Sequence, residues 1–130
     1  MPLPVTALFA AVLALWVIFL LMKVVRFRRG HKVSLGTGGD PDGERLIRAH
    51  ANATETIPIF LILLALSEGL GSPAWFLYVM GAVFCAGRGL HGLHFMQERK
   101  GFSMRFYGMI LTLSATIFLA IDLLRHTVGL

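Results

Sequence analysis

The sequence predicts an all-α integral membrane protein built as a bundle of four transmembrane helices. Of its 130 residues, 56% are hydrophobic and only 15% are charged. Soluble domains are about half apolar and about a quarter charged. The apolar residues also form four segments, each close to the roughly 20 residues that a helix needs to cross a bilayer. A chain of this length is predicted to form one domain, residues 1–130.

The first helix is predicted over residues 4–25. Its apolar run is too long for the core of a cleavable signal peptide, and basic residues follow it instead of preceding it. That order is typical of a signal anchor whose N-terminus lies outside. The glycine-rich segment 26–43 predicts a loop, where Asp40 or Asp42 can cap the next helix.

Three further helices are predicted over residues 44–69, 74–96 and 104–125. Pro58 lacks a backbone donor and predicts a kink in the second of them. Near the end of the fourth, Asp122 and Arg125 have the i, i+3 spacing of a structural ion pair.

The twelve Lys and Arg residues predict how the helices are oriented. Seven lie within residues 23–48 and four within residues 88–105, whereas Arg125 stands apart. Because basic residues stay on the cytoplasmic side, both termini are predicted outside and both larger loops in the cytoplasm. This placement explains the net charge of +5 through membrane topology, and no nucleic-acid partner is expected.

The second helix opens with polar residues that are unusual for a membrane segment. Four of them share an arc of roughly 80° on a helix: Arg45, Arg48, Asn52 and Glu55. Ionisable groups at membrane depth are costly, so they predict a functional site. The cytoplasmic ends of the other helices bring more polar residues to that depth: Arg28, Arg88, His91 and Arg105.

This set of side chains suits a small anionic ligand that also carries an amino group. Arginine binds carboxylates bidentately and stays charged in a partly dry site. An arginine beside a thiol also favours the reactive thiolate. The alternative is structural, because Arg48 could pair with Glu55 while Arg45 extends to the lipid headgroups. No metal site is predicted, since His91, His94 and Cys85 lack a fourth ligand nearby.

The motif Arg48-Ala49-His50-x-Asn52-x-x-Glu55-x-x-Pro58 resembles the second-helix signature of the MAPEG family, the membrane-associated proteins in eicosanoid and glutathione metabolism. Arg88-x-Leu90-His91 is similar to the third-helix motif of that family. Arg105-x-x-Gly108-x-x-x-Thr112 resembles the small bacterial branch. The stretch from Arg28 to Ser34 is similar to the end of the first helix in leukotriene C synthase, a member of the family like microsomal glutathione transferase.

The resemblance implies a homotrimer in the bacterial inner membrane, with glutathione bound between neighbouring subunits on the cytoplasmic side. It implies a membrane-bound glutathione transferase, with a glutathione peroxidase activity as an option. Glutathione is then the co-substrate, and lipophilic electrophiles or lipids are the other partners, entering between helices 1 and 4 of adjacent subunits. Arg105 matches the catalytic arginine that stabilises the thiolate. The implied glutathione-binding residues are Arg28, Arg48, His50, Asn52, Glu55 and His91.

Three positions depart from active members of the family. His91, Phe95 and Thr56 stand where those members often have tyrosines. Because the family also includes proteins that bind lipid without catalysis, the alternative expectation is a non-catalytic lipid-binding or scaffold protein on the same fold. A transporter or channel is less favoured, since the polar residues gather at one membrane face and do not run through the bundle.

Overall fold

The structure, a computed structural model, describes residues 2–96 and 102–130. Within them the chain forms four α-helices and no strand: α1 (Pro4–His31), α2 (Pro41–Gly69), α3 (Ala74–Met96) and α4 (Phe102–Thr127). Each helix is long and apolar enough to cross a membrane. The predicted fold class, all-α with four helices of membrane-spanning length, is confirmed for these residues.

The loop between α1 and α2 is shorter than the predicted 26–43. The first helix does not stop at residue 25 but continues to His31, because Lys32 is the residue that adopts the left-handed conformation (φ 54°) that ends it. The second helix begins at Pro41 instead of residue 44. Asp40 precedes it, and its Oδ1 accepts a hydrogen bond from the Asp42 backbone N–H at 2.8 Å. Of the two candidate caps, Asp40 is confirmed.

Smaller differences affect the other helices. The second helix is continuous through Pro58 and ends at the predicted residue 69. The fourth helix begins at Phe102 instead of residue 104 and ends at Thr127 instead of residue 125. The predicted loop between α3 and α4 lies mostly at residues 97–101, outside the described residues.

The bundle interior is packed with aliphatic and aromatic side chains. The rings of Phe60 on α2 and Phe84 on α3 stack with centroids 3.8 Å apart, and both are fully buried. Helices α3 and α4 approach through their glycines: a Cβ added to Gly87 would lie 2.8 Å from the Gly108 carbonyl oxygen. This close approach brings the second half of α3 directly against the start of α4.

Polar groups join the helices at the end of the bundle where α1 begins and α4 ends. The carboxylate of Glu68 accepts hydrogen bonds from the backbone N–H groups of Val5 and Thr6, each at 2.8 Å. It therefore satisfies donors that the first turn of α1 leaves free. Arg125 donates to Asp122 at 3.1 Å, which confirms the pair predicted from their spacing. Ser72 also donates to Asp122.

Candidate functional site

A polar cavity lies where the first half of α2, the end of α3 and the start of α4 meet. Its volume is about 160 Å³. The residues that line it are Arg48, Ala51, Asn52, Glu55, His91, Phe95 and Arg105. Three helices distant in sequence thus bring together five of the seven residues that the sequence predicted for one site.

The charged side chains of the cavity have no charged partner in the described part of the chain. Arg48, Glu55 and Arg105 are exposed, and none of them hydrogen bonds or ion pairs with another described residue. The Arg105 guanidinium lies 5.7 Å from the ring centroid of Phe95. The alternative of an Arg48–Glu55 pair is wrong for this structure, because seven residues span about 10.5 Å along a helix.

Arg45, the remaining member of the polar stripe, has a different role. Its Nη2 pairs with the carboxylate of Asp42 one turn earlier on α2, and it does not line the cavity. It therefore serves the start of the helix, where an i, i+3 pair contributes modestly to helix stability.

Arg88 lies behind the cavity and is only 2% exposed. Its Nε donates to Thr112 Oγ1 at 3.2 Å, and its Nη1 donates to Thr56 Oγ1 at 2.9 Å and to Asn52 Oδ1. Its Nη2 lies 3.6 Å from the Met109 sulfur. Among the described residues, no carboxylate pairs with Arg88. A buried cation is thus held by neutral acceptors alone, an arrangement that needs every donor well placed.

The sequence predicted Arg88 near the other polar residues of the site, but it did not predict the contacts of Arg88. The sequence does contain part of the information needed to predict these contacts. An arginine inside an apolar helix must find acceptors, and Thr56 and Thr112 are hydroxyl residues in the apolar parts of the two neighbouring helices. The packing of the helices determines which of these polar groups contact Arg88. Residue spacing within one helix does not predict that packing.

His91 and Phe95 form the α3 side of the cavity. His91 is 3% exposed, and its ring centroid lies 4.9 Å from that of Phe95. Both residues match positions where the resemblance expects tyrosines, and both line the cavity. In the cavity, His91 thus supplies an imidazole and Phe95 an apolar ring in place of tyrosine hydroxyl groups.

Two predicted site residues lie outside this cavity within one chain. His50 is two residues after Arg48, which turns it by about 200° to the opposite side of α2. Arg28 lies at the end of α1, where its Nε donates to the Gly36 carbonyl at 3.3 Å. It lines a separate groove of about 440 Å³ together with Val25, Arg29, Lys32, Val33 and Ser34. Within one chain, Arg28 and His50 therefore do not join the other predicted residues at this cavity.

An apolar groove of about 450 Å³ runs between α1 and α3. Trp16 and Phe19 stack in it with ring centroids 5.5 Å apart. The other lining residues are Val12, Leu13, Leu15, Cys85, Arg88 and Gly89. Cys85 is a half-buried free thiol. No group of three His, Cys, Asp or Glu in the described ranges could hold a metal ion.

Comparisons with known proteins match nearly the whole chain. A family model described as the MAPEG family matches residues 6–125. The inner membrane protein YecN of Escherichia coli strain K12 is 35% identical over 118 residues, which cover 87% of this chain and 90% of that protein. YecN of Escherichia coli O6:H1 strain CFT073 is similar to the same extent.

Proposed function

Because this chain belongs to the MAPEG family, we propose that it is a membrane-bound glutathione transferase of the bacterial inner membrane. Four apolar helices and the similarity to YecN, which is named as an inner membrane protein, support that location. The distribution of Lys and Arg supports an orientation with both termini periplasmic and the polar cavity at the cytoplasmic face.

The observation that carries the proposal is the set of unpaired charges around the cavity. Arg48 and Arg105 are cations and Glu55 is an anion, and none is neutralised by another described residue. Glutathione carries two carboxylates and one ammonium group, so each of these side chains has a complement on the tripeptide. Guanidinium groups bind carboxylates bidentately, which gives orientation as well as affinity.

The size of the cavity supports a site shared between subunits. A pocket that encloses a small molecule is typically about 300–1,000 Å³, and the cavity of one chain is about 160 Å³. A single chain thus offers only part of the surface. In the proposed homotrimer a neighbouring subunit completes the site, and its Arg28 supplies a further cation.

In the proposed reaction Arg105 stabilises the glutathione thiolate, the nucleophilic form of the thiol. The thiol proton passes to water, and the sulfur attacks a lipophilic electrophile that enters from the lipid between helices 1 and 4 of adjacent subunits. A carbon–sulfur bond forms while the bond from that carbon to its leaving group breaks, and the leaving group departs with the electron pair as an anion. With a lipid hydroperoxide, the sulfur takes one oxygen and an alcohol leaves. A second glutathione then reduces the sulfenic acid, which gives the disulfide and water.

The test is ultraviolet difference spectroscopy of the purified protein titrated with glutathione, together with turnover of a chromogenic electrophile. We expect a thiolate absorption band in the parent that disappears in Arg105→Ala. Turnover should be lost in the same variant. The proposal fails if the parent shows no glutathione-dependent turnover and Arg48→Ala leaves glutathione binding unchanged.

A second candidate is a lipid-binding protein without catalysis. Two observations favour it: Phe95 lines the cavity without a hydroxyl group, and the apolar groove between α1 and α3 offers about 450 Å³ for an acyl chain. Mass spectrometry of the purified protein would then find retained lipid, and glutathione would produce no thiolate band.

A further inference from the structure

The contact between Arg88 and Asn52 determines which end of the Asn52 amide faces the cavity. An asparagine side chain carries one oxygen that accepts hydrogen bonds and one NH₂ group that donates them. A guanidinium only donates. Because Arg88 Nη1 lies at hydrogen-bonding distance from the amide, Asn52 must turn Oδ1 toward Arg88. The Nδ2 group then points away from Arg88.

The two threonines around Arg88 enforce the same direction. The Thr56 hydroxyl donates to the Asn52 backbone carbonyl at 2.9 Å, and the Thr112 hydroxyl donates to the Gly108 carbonyl at 2.8 Å. Each hydroxyl proton is already used, so both oxygens offer Arg88 only lone pairs. Arg88 is thereby held on two sides by acceptors that cannot change roles, and it cannot swing away from Asn52.

We infer that Arg88 is a positioning residue that holds the Asn52 amide with its Nδ2 group facing the cavity as a hydrogen-bond donor. Asn52 lines the cavity, and no described residue accepts a hydrogen bond from its Nδ2. The ligand atom opposite Asn52 is therefore an acceptor, a carbonyl or carboxylate oxygen. The inference rests on the proposed function in one respect: it takes glutathione as the ligand that supplies this oxygen.

The energetic reason for a fixed amide is the cost of the alternative. If the amide flipped, Nδ2 would face the guanidinium, and two donors would meet in a buried place without an acceptor. The flipped state is therefore scarcely populated. A ligand meets a donor that is already oriented, and it does not lose affinity to the ordering of that side chain.

The variant Asn52→Asp tests the roles of the amide oxygen and the amide NH₂ group independently. The carboxylate keeps an acceptor for Arg88 and adds a counter-charge to a buried cation, but it removes the donor from the cavity. We expect this variant to melt at a higher temperature than the parent in detergent. Its dissociation constant for glutathione should nevertheless rise by about tenfold or more, since a hydrogen bond is lost and a like charge faces the ligand carboxylates.

The stability gain must depend on Arg88 if the contact is correct. In an Arg88→Met background, Asn52→Asp should give no stabilisation and should lower the melting temperature, because the carboxylate then lacks its cation. If Arg88→Met does not fold, the single variant Asn52→Asp still tests the inference. An Asn52→Asp protein that is more stable than the parent but binds glutathione more weakly would indicate that Oδ1 faces a cation and that Nδ2 donates to the ligand.

A second double-mutant cycle between Arg88 and Asn52 uses the dissociation constant for glutathione in place of the melting temperature. Arg88→Met should weaken glutathione binding, but combining it with Asn52→Ala should weaken binding no further than Asn52→Ala alone. Thr116→Val is the matched control, because it removes a threonine hydroxyl from the next turn of α4 that bonds the Thr112 carbonyl and contacts neither Arg88 nor Asn52. Its dissociation constant for glutathione should stay within about twofold of the parent.

Two results would overturn the inference: Asn52→Asp that fails to stabilise the parent, or Arg88→Met that binds glutathione as tightly as the parent. Failure of the proposed function would give a different experimental result from failure of this inference. In that case the parent binds no glutathione, while the stability cycle between Arg88 and Asn52 still shows whether the amide is held.

Discussion

Gly87 on α3 faces Gly108 on α4 so closely that neither position has room for a Cβ. A Cβ on Gly87 would lie 2.8 Å from the Gly108 carbonyl oxygen, and one on Gly108 would lie 2.7 Å from the His91 backbone nitrogen. Because the backbones touch here, Arg88 reaches Thr112 and His91 reaches the cavity. The polar site therefore depends on two residues that have no side chain.

Gly108→Ala should separate α3 from α4. Its methyl group would meet the backbone of His91, which cannot rotate aside, so the helices must move. We expect a loss of about 1–3 kcal/mol in the free energy of unfolding, as for other overpacked cores, together with weaker glutathione binding. Gly89→Ala is the matched control, because nothing lies within 4 Å of a Cβ there. A Gly108→Ala protein as stable as Gly89→Ala would contradict the close approach.

Arg48→Ala and Arg45→Ala should differ sharply although both remove an arginine from the same stripe of α2. Arg48 lines the cavity without a partner, whereas Arg45 pairs with Asp42 outside it. Loss of a bidentate carboxylate contact should raise the dissociation constant for glutathione about tenfold or more in Arg48→Ala. Isothermal titration calorimetry should find Arg45→Ala close to the parent. Equal effects from the two variants would count against the cavity as the binding site.

Glu68→Ala should reduce stability without affecting glutathione binding. Glu68 accepts from the Val5 and Thr6 backbone and from the Thr6 hydroxyl at 2.7 Å, at the end of the bundle opposite the cavity. Losing this cap should cost about 1–2 kcal/mol, the usual effect of removing a helix N-cap. Thermal melts in detergent measure the loss, and Glu68→Gln, which keeps one acceptor, should lose less. Weakened glutathione binding in a folded Glu68→Ala protein would argue against separate roles for the two ends.

If the protein assembles as the proposed homotrimer, mixed oligomers should reveal whether Arg28 acts across a subunit boundary. If one subunit supplies Arg28 and its neighbour Arg105, then Arg28→Ala and Arg105→Ala subunits can together rebuild intact sites. Each variant alone should be inactive, whereas equal co-expression should restore about a quarter of the sites in a cyclic trimer. Transferase assays on the co-purified protein measure this recovery. Activity no higher than in the separate variants would place Arg28 outside the shared site.

Much of the fold was predictable from local features of the sequence. Four apolar segments predicted four helices. The start of α2 was predicted three residues too late, at residue 44, although Asp40 was one of the two candidate caps. The end of α1 was misplaced, since a basic segment can still be helical beyond the apolar run. Helix ends depend on single residues such as Lys32, whose left-handed conformation is not visible in composition.

The sequence predicted five of the residues that line the cavity, but not the contacts that hold them in place. The stripe of α2 named Arg48, Asn52 and Glu55, and these three line the cavity. Spacing on that helix also separates Arg48 from Glu55 by about 10.5 Å along the axis and turns His50 about 200° away from Arg48. It could not show which side chains of α3 and α4 would complete the cavity.

The sequence by itself determined which segments enter the membrane and which polar residues enter with them, because the cost of burying each residue is a property of that residue. The tertiary structure decided which polar groups meet. The contact of Arg88 with Asn52 joins residues 36 positions apart and depends on the packing of α3 against α2. The contact of Arg88 with Thr112 depends on Gly87 and Gly108, which let α3 lie against α4. Partners of buried polar groups are set by the approach of helices, and that approach depends on packing between distant parts of the chain.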